Sequence, residues 1–400
     1  MESARRRLKS VADHLLHRRI FSDLRIDSLL LGSMEQLSES SPSPVVIGGM
    51  VLDVLAKPDA SLNPGSTSPG TVQYVSGGVA RNVAECMTKL GSKPFMISIV
   101  GFDMAGDLLL KFWESTGLST EGILKLKDFS TPIVSSIFDY NGDLVAGVAS
   151  VHAVEKFLSP NWIIKFKHRI SSAPLLMVDA NLSPQSLEAA CLLAAESGTL
   201  VWFEPVSVTK SEKIASVIDY VTCASPNEKE LISMANVLSP GRKFYLNQHN
   251  ASTSQQPQKI QLLFHSLNTA IQVLLMKGIR LLVVTLGADG VFLCFSESVT
   301  DFLRSRMKRR EPNDENSYAF HLPALTASVV SVTGAGDCLV AGILASLCAG
   351  LDIMQSTAAG IAVAKAAVEI DSNVPIAFSF EKIASEVEQV LAAAKQFFFY

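Results

Sequence analysis

Short unbroken runs of apolar residues, many of them β-branched, return along this chain with helix-patterned segments between them. The runs are Val45-Val46-Ile47, Phe95-Met96-Ile97-Ser98-Ile99-Val100, Leu175-Leu176-Met177-Val178-Asp179, Leu200-Val201-Trp202-Phe203 and Leu281-Leu282-Val283-Val284-Thr285. A strand with one wet face alternates polar and apolar residues, whereas an unbroken run is covered on both faces. Parallel neighbours also need long crossovers, which the helical patterns near 104–117, 184–197, 208–218 and 258–277 supply. The expected class is therefore α/β: a doubly wound, mainly parallel sheet with helices on both faces. Two stretches, about 54–76 and 131–151, leave that rhythm. The second alternates around Asn141-Gly142-Asp143, a hairpin turn, so a small separate β-sheet is expected there. Residues 1–42 read as an N-terminal extension ahead of a unit spanning 43–400, and the polar stretches 239–257 and 304–317 as surface insertions.

Charge and cysteine usage narrow the class. With 34 basic and 38 acidic side chains the net charge is −4, and no basic stripe marks a nucleic-acid partner. Six cysteines stand without a Cys-x-x-Cys pair, several inside apolar runs, which points to reduced thiols rather than a disulfide framework or a zinc site. The longest uncharged apolar stretch, Cys338 to Leu351, has the length of a buried helix and not of a bilayer span, so no membrane segment is expected.

Two glycine-rich segments carry the chemistry. Thr333-Gly334-Ala335-Gly336-Asp337 runs straight into an apolar helix. Small residues there let a ligand approach the backbone, and the first helical turn offers N–H groups at the positive end of the dipole. Asp337 at that mouth is placed to take a proton from an attacking hydroxyl, or simply to cap the helix. The earlier segment, Gly77-Gly78-Val79-Ala80-Arg81-Asn82, enters another helix with Asn82 on its first turns, where an amide can both donate to and accept from hydroxyls.

Together, Gly-Gly-x-x-x-Asn early and Gly-Ala-Gly-Asp late, with the sheet pattern between, resemble the ribokinase-like (pfkB) carbohydrate and nucleoside kinase family over roughly residues 44–395. The resemblance implies a β lid over the acceptor and transfer of the γ-phosphoryl of ATP to a primary hydroxyl, with Mg2+. It implies Asp337 as the catalytic base and Gly334, Ala335 and Gly336 as an anion hole. Asp53, expected just past the first strand, would bind the acceptor's hydroxyls with Gly77, Gly78 and Asn82. Asn227-Glu228-Lys229-Glu230 resembles the family's Asn-x-x-Glu motif, implying that Asn227 and Glu230 order Mg2+ through water; on its own Asn227 reads as a helix cap. Thr285, Gly287, Gly290 and Thr333 are implied along the nucleotide. Ser331 stands where the family usually has an acid, which puts K+ activation in doubt.

Three softer features, Pro69-Gly70-Thr71 before the first motif, Asp179-Ala180-Asn181-Leu182 and Glu204-Pro205-Val206-Ser207 with Lys210, are similar to the pseudouridine-phosphorylating branch of that family. They imply pseudouridine as acceptor at its 5′-hydroxyl, with ribokinase-type or other nucleoside substrates as the alternative and a catalytically silent binding relative as the alternative of another class. Pseudouridine carries an N1–H that uridine lacks, so a base acceptor is expected from Ser76, Thr131, Ser135, Asn181 or His152, or from a lid carbonyl. Arg7-Leu8, five residues and His14-Leu15 resemble the N-terminal signal bound by the soluble peroxisomal import receptor. Peroxisome is thus the expected location, with cytosol as the fallback. An edge strand of the lid would allow a homodimer.

Overall fold

The computed structural model describes residues 42–63, 65–246, 256–296 and 317–399. The N-terminal signal, residues 247–255 of the first polar insertion, nearly all of the second and residue 64 lie outside them. The first buried run forms β1 (Val45–Ile47), after which the chain leaves the main layer as β2 (Val51–Pro58) and β3 (Gly70–Gly77). It re-enters through the Val79–Lys89 helix, β4 (Phe95–Gly101), the Met104–Ser115 helix and β5 (Ile123–Leu126), then leaves again as β6 (Ile133–Phe138) and β7 (Leu144–Ser150). The remaining strands are β8 (Leu175–Asp179), β9 (Leu200–Glu204), β10 (Cys223–Ala224), β11 (Leu281–Thr285), β12 (Val291–Ser296), β13 (Ser317–Leu322) and β14 (Lys395–Phe397).

These strands make two sheets. The large one has the order β14-β13-β12-β11-β10-β9-β8-β1-β4-β5; β11 through β5 are parallel and β12, β13 and β14 antiparallel. Its two faces pack separate apolar cores. One holds the inner faces of the Val79–Lys89, Ala335–Cys348 and Ile353–Val368 helices, the other those of Pro184–Glu196, Glu228–Leu238 and Gln256–Met276. Burial on both faces explains why the parallel strands read as unbroken apolar runs.

The second sheet has the order β3-β2-β6-β7. Its β6–β7 hairpin turns at Gly142, where Asp139 accepts from the N–H groups of Asn141 and Asp143. The small sheet begins at Val51, earlier than the sequence suggested, because the parallel pairing of β2 with β6 starts at Leu52. Asp53 therefore lies within a strand of the small sheet and not in a loop past β1. The helix expected over 208–218 is a single α-turn, Val208–Ser211, followed by 3-10 geometry over Glu212–Ser216. Ser207 caps the first turn, and the N–H of Val217 reaches back three residues to Ile214, keeping both apolar side chains in the core.

Candidate active site

The carboxyl ends of β1, β8, β9, β10 and β11 open toward the small sheet, in the crevice where open α/β sheets bind ligands. At its centre Gly334 takes the left-handed conformation, φ 78°, and a Cβ there would lie 2.2 Å from the Asn373 carbonyl oxygen. Only glycine makes this turn, which sets the N-terminus of the Ala335–Cys348 helix, with Gly336 and Asp337 in its first turn, at the mouth of the crevice.

Asp337 is half-buried, and its Oδ2 accepts from Asn82 Nδ2 at 2.6 Å. That contact joins the two glycine motifs, 255 residues apart in sequence, in one site. Burial pushes the Asp337 carboxyl up to about 7; the Asn82 hydrogen bond and Arg81 act against the rise, and the carboxylates of Asp179 and Asp53 add to it. A carboxylate poised near neutrality suits a general base.

Asp53 is half-buried on β2, and its Oδ2 accepts from Asn373 Nδ2 at 3.0 Å; the same amide donates to the Ser76 carbonyl at 3.0 Å. Desolvation raises the Asp53 carboxyl, opposed by Asn373 and Arg81. Gly77 faces it across the β2–β3 pair, where a Cβ would fall 2.2 Å from Asp53 Oδ2. Gly78, with φ 96°, passes within contact of the Gly49 carbonyl, so the chain turns into its helix with no room for a side chain.

Other expected residues turn out to be engaged with the protein. Thr131 is buried: its hydroxyl donates to Asp103 Oδ1 at 2.6 Å and accepts from the Gly101 N–H at 2.8 Å, tying the approach to β6 onto the end of β4. The fully buried Asp179 accepts from the N–H groups of Gly49, Ala80 and Asn181 and ties three elements together beneath the crevice. Asn181 lies near Gly49, facing the crevice, but its Oδ1 accepts from Lys210 Nζ at 2.6 Å. The oxygen is thus engaged by Lys210, with a second lone pair and the NH2 group left for other partners. Lys210 neither caps a helix nor stands free; half-buried, it holds that amide.

On the far side, Asn227 is the N-cap of the Glu228–Leu238 helix. Its Oδ1 accepts from the N–H groups of Lys229 and Glu230, and Glu230 Oε2 accepts from the Asn227 N–H at 2.9 Å. This reciprocal cap leaves the pair suited to ordering water and not to gripping an ion directly. Among the described residues no group of three or more His, Cys, Asp or Glu side chains could hold a metal by itself. Thr285 bridges Asn227, and Gly287 and Gly290 follow at the end of β11 with positive φ. Gly287 has open space above it. Thr333 is exposed beside the Gly334 turn, and the N–H of Ser331 is tied to the Val368 carbonyl.

Four residues escaped the sequence reading in their roles. Asn373 carried no signal, since its partner Asp53 is 320 residues away. Arg81 and Glu85, spaced i,i+4 on the first motif's helix, form a partly buried ion pair whose spacing was visible. Glu204, at the end of β9, accepts from the Ser225 hydroxyl; burial, reinforced by Asp337 and Glu230, holds its carboxyl far above the ordinary range.

The chain belongs to the pfkB family of carbohydrate kinases, whose pattern it matches over residues 42–372. Such a kinase is a phosphotransferase acting on a hydroxyl acceptor. Among characterised relatives, the pseudouridine kinase of Arabidopsis thaliana is 49% identical over 374 residues, covering 88% of this chain and 97% of that protein. The pseudouridine kinase of Escherichia coli (strain K12) is 23% identical over 78% of this chain and 86% of its own length. In fold, the Arabidopsis thaliana ribokinase complexed with ribose and ATP superposes with a TM-score of 0.67 at 17% identity, covering 87% of this chain and 99% of that one. A carbohydrate kinase from Agrobacterium tumefaciens gives 0.68 at 21%, covering 89% and 99%.

Proposed function

We propose that this kinase transfers the γ-phosphoryl group of ATP to the 5′-hydroxyl of pseudouridine. The observation that carries the reading is the Asn82–Asp337 contact, which sets a near-neutral carboxylate beside the Gly334 turn. The 49% identity to a pseudouridine kinase over nearly the whole relative supports the choice of acceptor.

In this reading Asp53 and the Gly77–Gly78 turn seat the ribosyl hydroxyls under the small sheet, which acts as a lid, and Asn82 orients the 5′-hydroxyl toward Asp337. Asp337 removes the hydroxyl proton as the oxygen attacks. The N–H groups of the Gly334–Asp337 turn stabilise charge on the transferring phosphoryl group. Thr285, Gly287, Gly290 and Thr333 lie along the nucleotide. Asn227 and Glu230 would hold Mg2+ through its water shell, and the ion would supply charge neutralisation at the ATP phosphates. With Ser331 in place of the family's usual acid, monovalent-ion dependence should be weak.

Phosphate transfer across ribose, adenosine, uridine and pseudouridine, with product position read by 31P NMR, tests the assignment. Preference for ribose, adenosine or uridine would overturn the pseudouridine reading, and no transfer to any of them would overturn the kinase reading.

We also propose peroxisomal delivery through Arg7, Leu8, His14 and Leu15; residues 1–42 fused to a fluorescent protein should reach peroxisomes, and a diffuse cytosolic signal would refute this. The lid also supports a homodimer: β7 is an exposed edge strand, and Val72, Tyr74, Val145 and Val148 on β3 and β7 are all exposed. Sedimentation at micromolar concentration decides this, a monomer being the contrary result.

A further inference from the structure

Arg81 sits where a cation is least expected. It lies in the first turn of the Val79–Lys89 helix, at the positive end of the dipole, and only 5% of it is exposed. Its Nε has no hydrogen-bond partner among the described residues, and burial lowers the affinity of the guanidinium for its proton. A purely structural residue at this position would do better as an apolar or small polar side chain. The remaining contacts show what the charge touches. Nη1 donates to Glu85, one turn along, and Nη2 donates to the side-chain oxygen of Asn82.

The second contact decides the orientation of the Asn82 amide. With its oxygen turned to the guanidinium, its NH2 group faces Asp337, as observed. The flipped amide would set NH2 against N–H donors on one side and oxygen against a carboxylate on the other. Charged groups reach Asp337 from each element packed around it: Arg81 from the Val79–Lys89 helix, Asp53 from β2, Asp179 from β8 and Glu204 from β9. Three are carboxylates; Arg81 is the cation in this set.

We propose that Arg81 is a positioning residue for phosphoryl transfer: its guanidinium fixes the Asn82 amide with NH2 toward Asp337, and its charge offsets the surrounding carboxylates, favouring the ionised form of Asp337. This deepens the kinase reading, resting on Asp337 as the base. Arg81 does not itself meet the substrate; it acts through Asn82 and through its field at Asp337.

The test uses the full chain labelled with 13Cγ-aspartate, the Asp337 resonance being identified by its loss in Asp337→Asn. In Arg81→Met the Asp337 titration midpoint should rise by about one pH unit or more, since a nearby opposite charge lowers a carboxyl by roughly that much. In Arg81→Lys, which keeps the charge but not the fork, the midpoint should stay within about 0.3 unit while kcat falls about tenfold and the KM for ATP changes less than about threefold. An unmoved midpoint in Arg81→Met overturns the proposal, as does full kcat or a displaced midpoint in Arg81→Lys. If Arg81→Met does not fold, the lysine variant decides alone. The titration needs no turnover, so a chain that phosphorylates nothing fails the functional reading while still reporting the coupling. Conversely, normal transfer with an unmoved midpoint fails this proposal only.

Discussion

Asn373→Ala is the perturbation that best separates the acceptor side of the site from the nucleotide side. The Asn373 amide donates at 3.0 Å both to Asp53 and to the Ser76 carbonyl, pinning β2 and β3 against the loop that carries it. A hydrogen bond to a carboxylate contributes about 1.5–3 kcal/mol and one to a carbonyl about 0.5–1.5 kcal/mol. Alanine removes both donors but leaves the Asn373 backbone oxygen against Gly334 and the Cys338 thiol, so the Gly334 turn keeps its shape. The loss therefore falls on Asp53. Its carboxylate loses a donor that favours the charged form, so its already raised pKa rises further. If about 1.5 kcal/mol of hydroxyl recognition goes with it, the nucleoside KM climbs roughly tenfold. The KM for ATP should stay within about twofold. Steady-state ADP release, with each substrate varied in turn, reads both constants. An unchanged nucleoside KM, or an ATP KM rising in step with it, would refute the argument that Asn373 serves the acceptor through Asp53.

Because Asp337 has its carboxyl at about 7 and must be ionised to act, kcat/KM for the nucleoside should rise with pH through roughly neutrality and level off above it; a flat profile between about pH 6 and pH 8 would contradict this. The same shift affects stability. A carboxyl raised in the folded state supports the fold fully below its ordinary pKa of 3.8 and loses that support as pH climbs to about 7. The melting temperature of Asp337→Asn should therefore gain on wild type from about pH 4 to pH 7 and hold its lead above, as calorimetry at several pH values would show. Pseudouridine should exceed uridine in kcat/KM by at least about tenfold, because a buried acceptor for N1–H goes unpaired with uridine. The Asn181 oxygen keeps a second lone pair beside its bond from Lys210, so it stands with Ser76, Ser135, His152 and a lid carbonyl as a source of that acceptor, and equal efficiency with both nucleosides would refute the buried acceptor.

What could be read in the sequence was whatever is local in the chain. The parallel sheet announced itself because burial on both faces leaves an unbroken apolar run such as Val45–Ile47 or Leu281–Thr285. The turn into the Ala335–Cys348 helix did so because Gly334 has room for no side chain. That Asn227 taken by itself is a helix cap was legible too, since a capping box is written within four residues. What stayed hidden was the engagement of a residue by a distant partner. The Thr131 hydroxyl is bonded to Asp103 and the Asn181 oxygen to Lys210, contacts that no local pattern announces. Asn373 was invisible for the same reason. Asp53 was placed past a strand because β2 is only half-buried and carries a charge in mid-strand, which breaks the apolar pattern used to find strands.

The most direct test of the central claim is single-turnover transfer from ATP to pseudouridine by Asp337→Asn, with ATP affinity measured on the same sample. The substitution keeps an oxygen able to accept from Asn82 but cannot take the hydroxyl proton. Nucleotide affinity should remain within about threefold of wild type while the transfer rate falls by about a hundredfold or more. Transfer near the wild-type rate in the folded, nucleotide-binding variant would remove Asp337 from the role of base and with it the mechanism built on the Asn82–Asp337 contact.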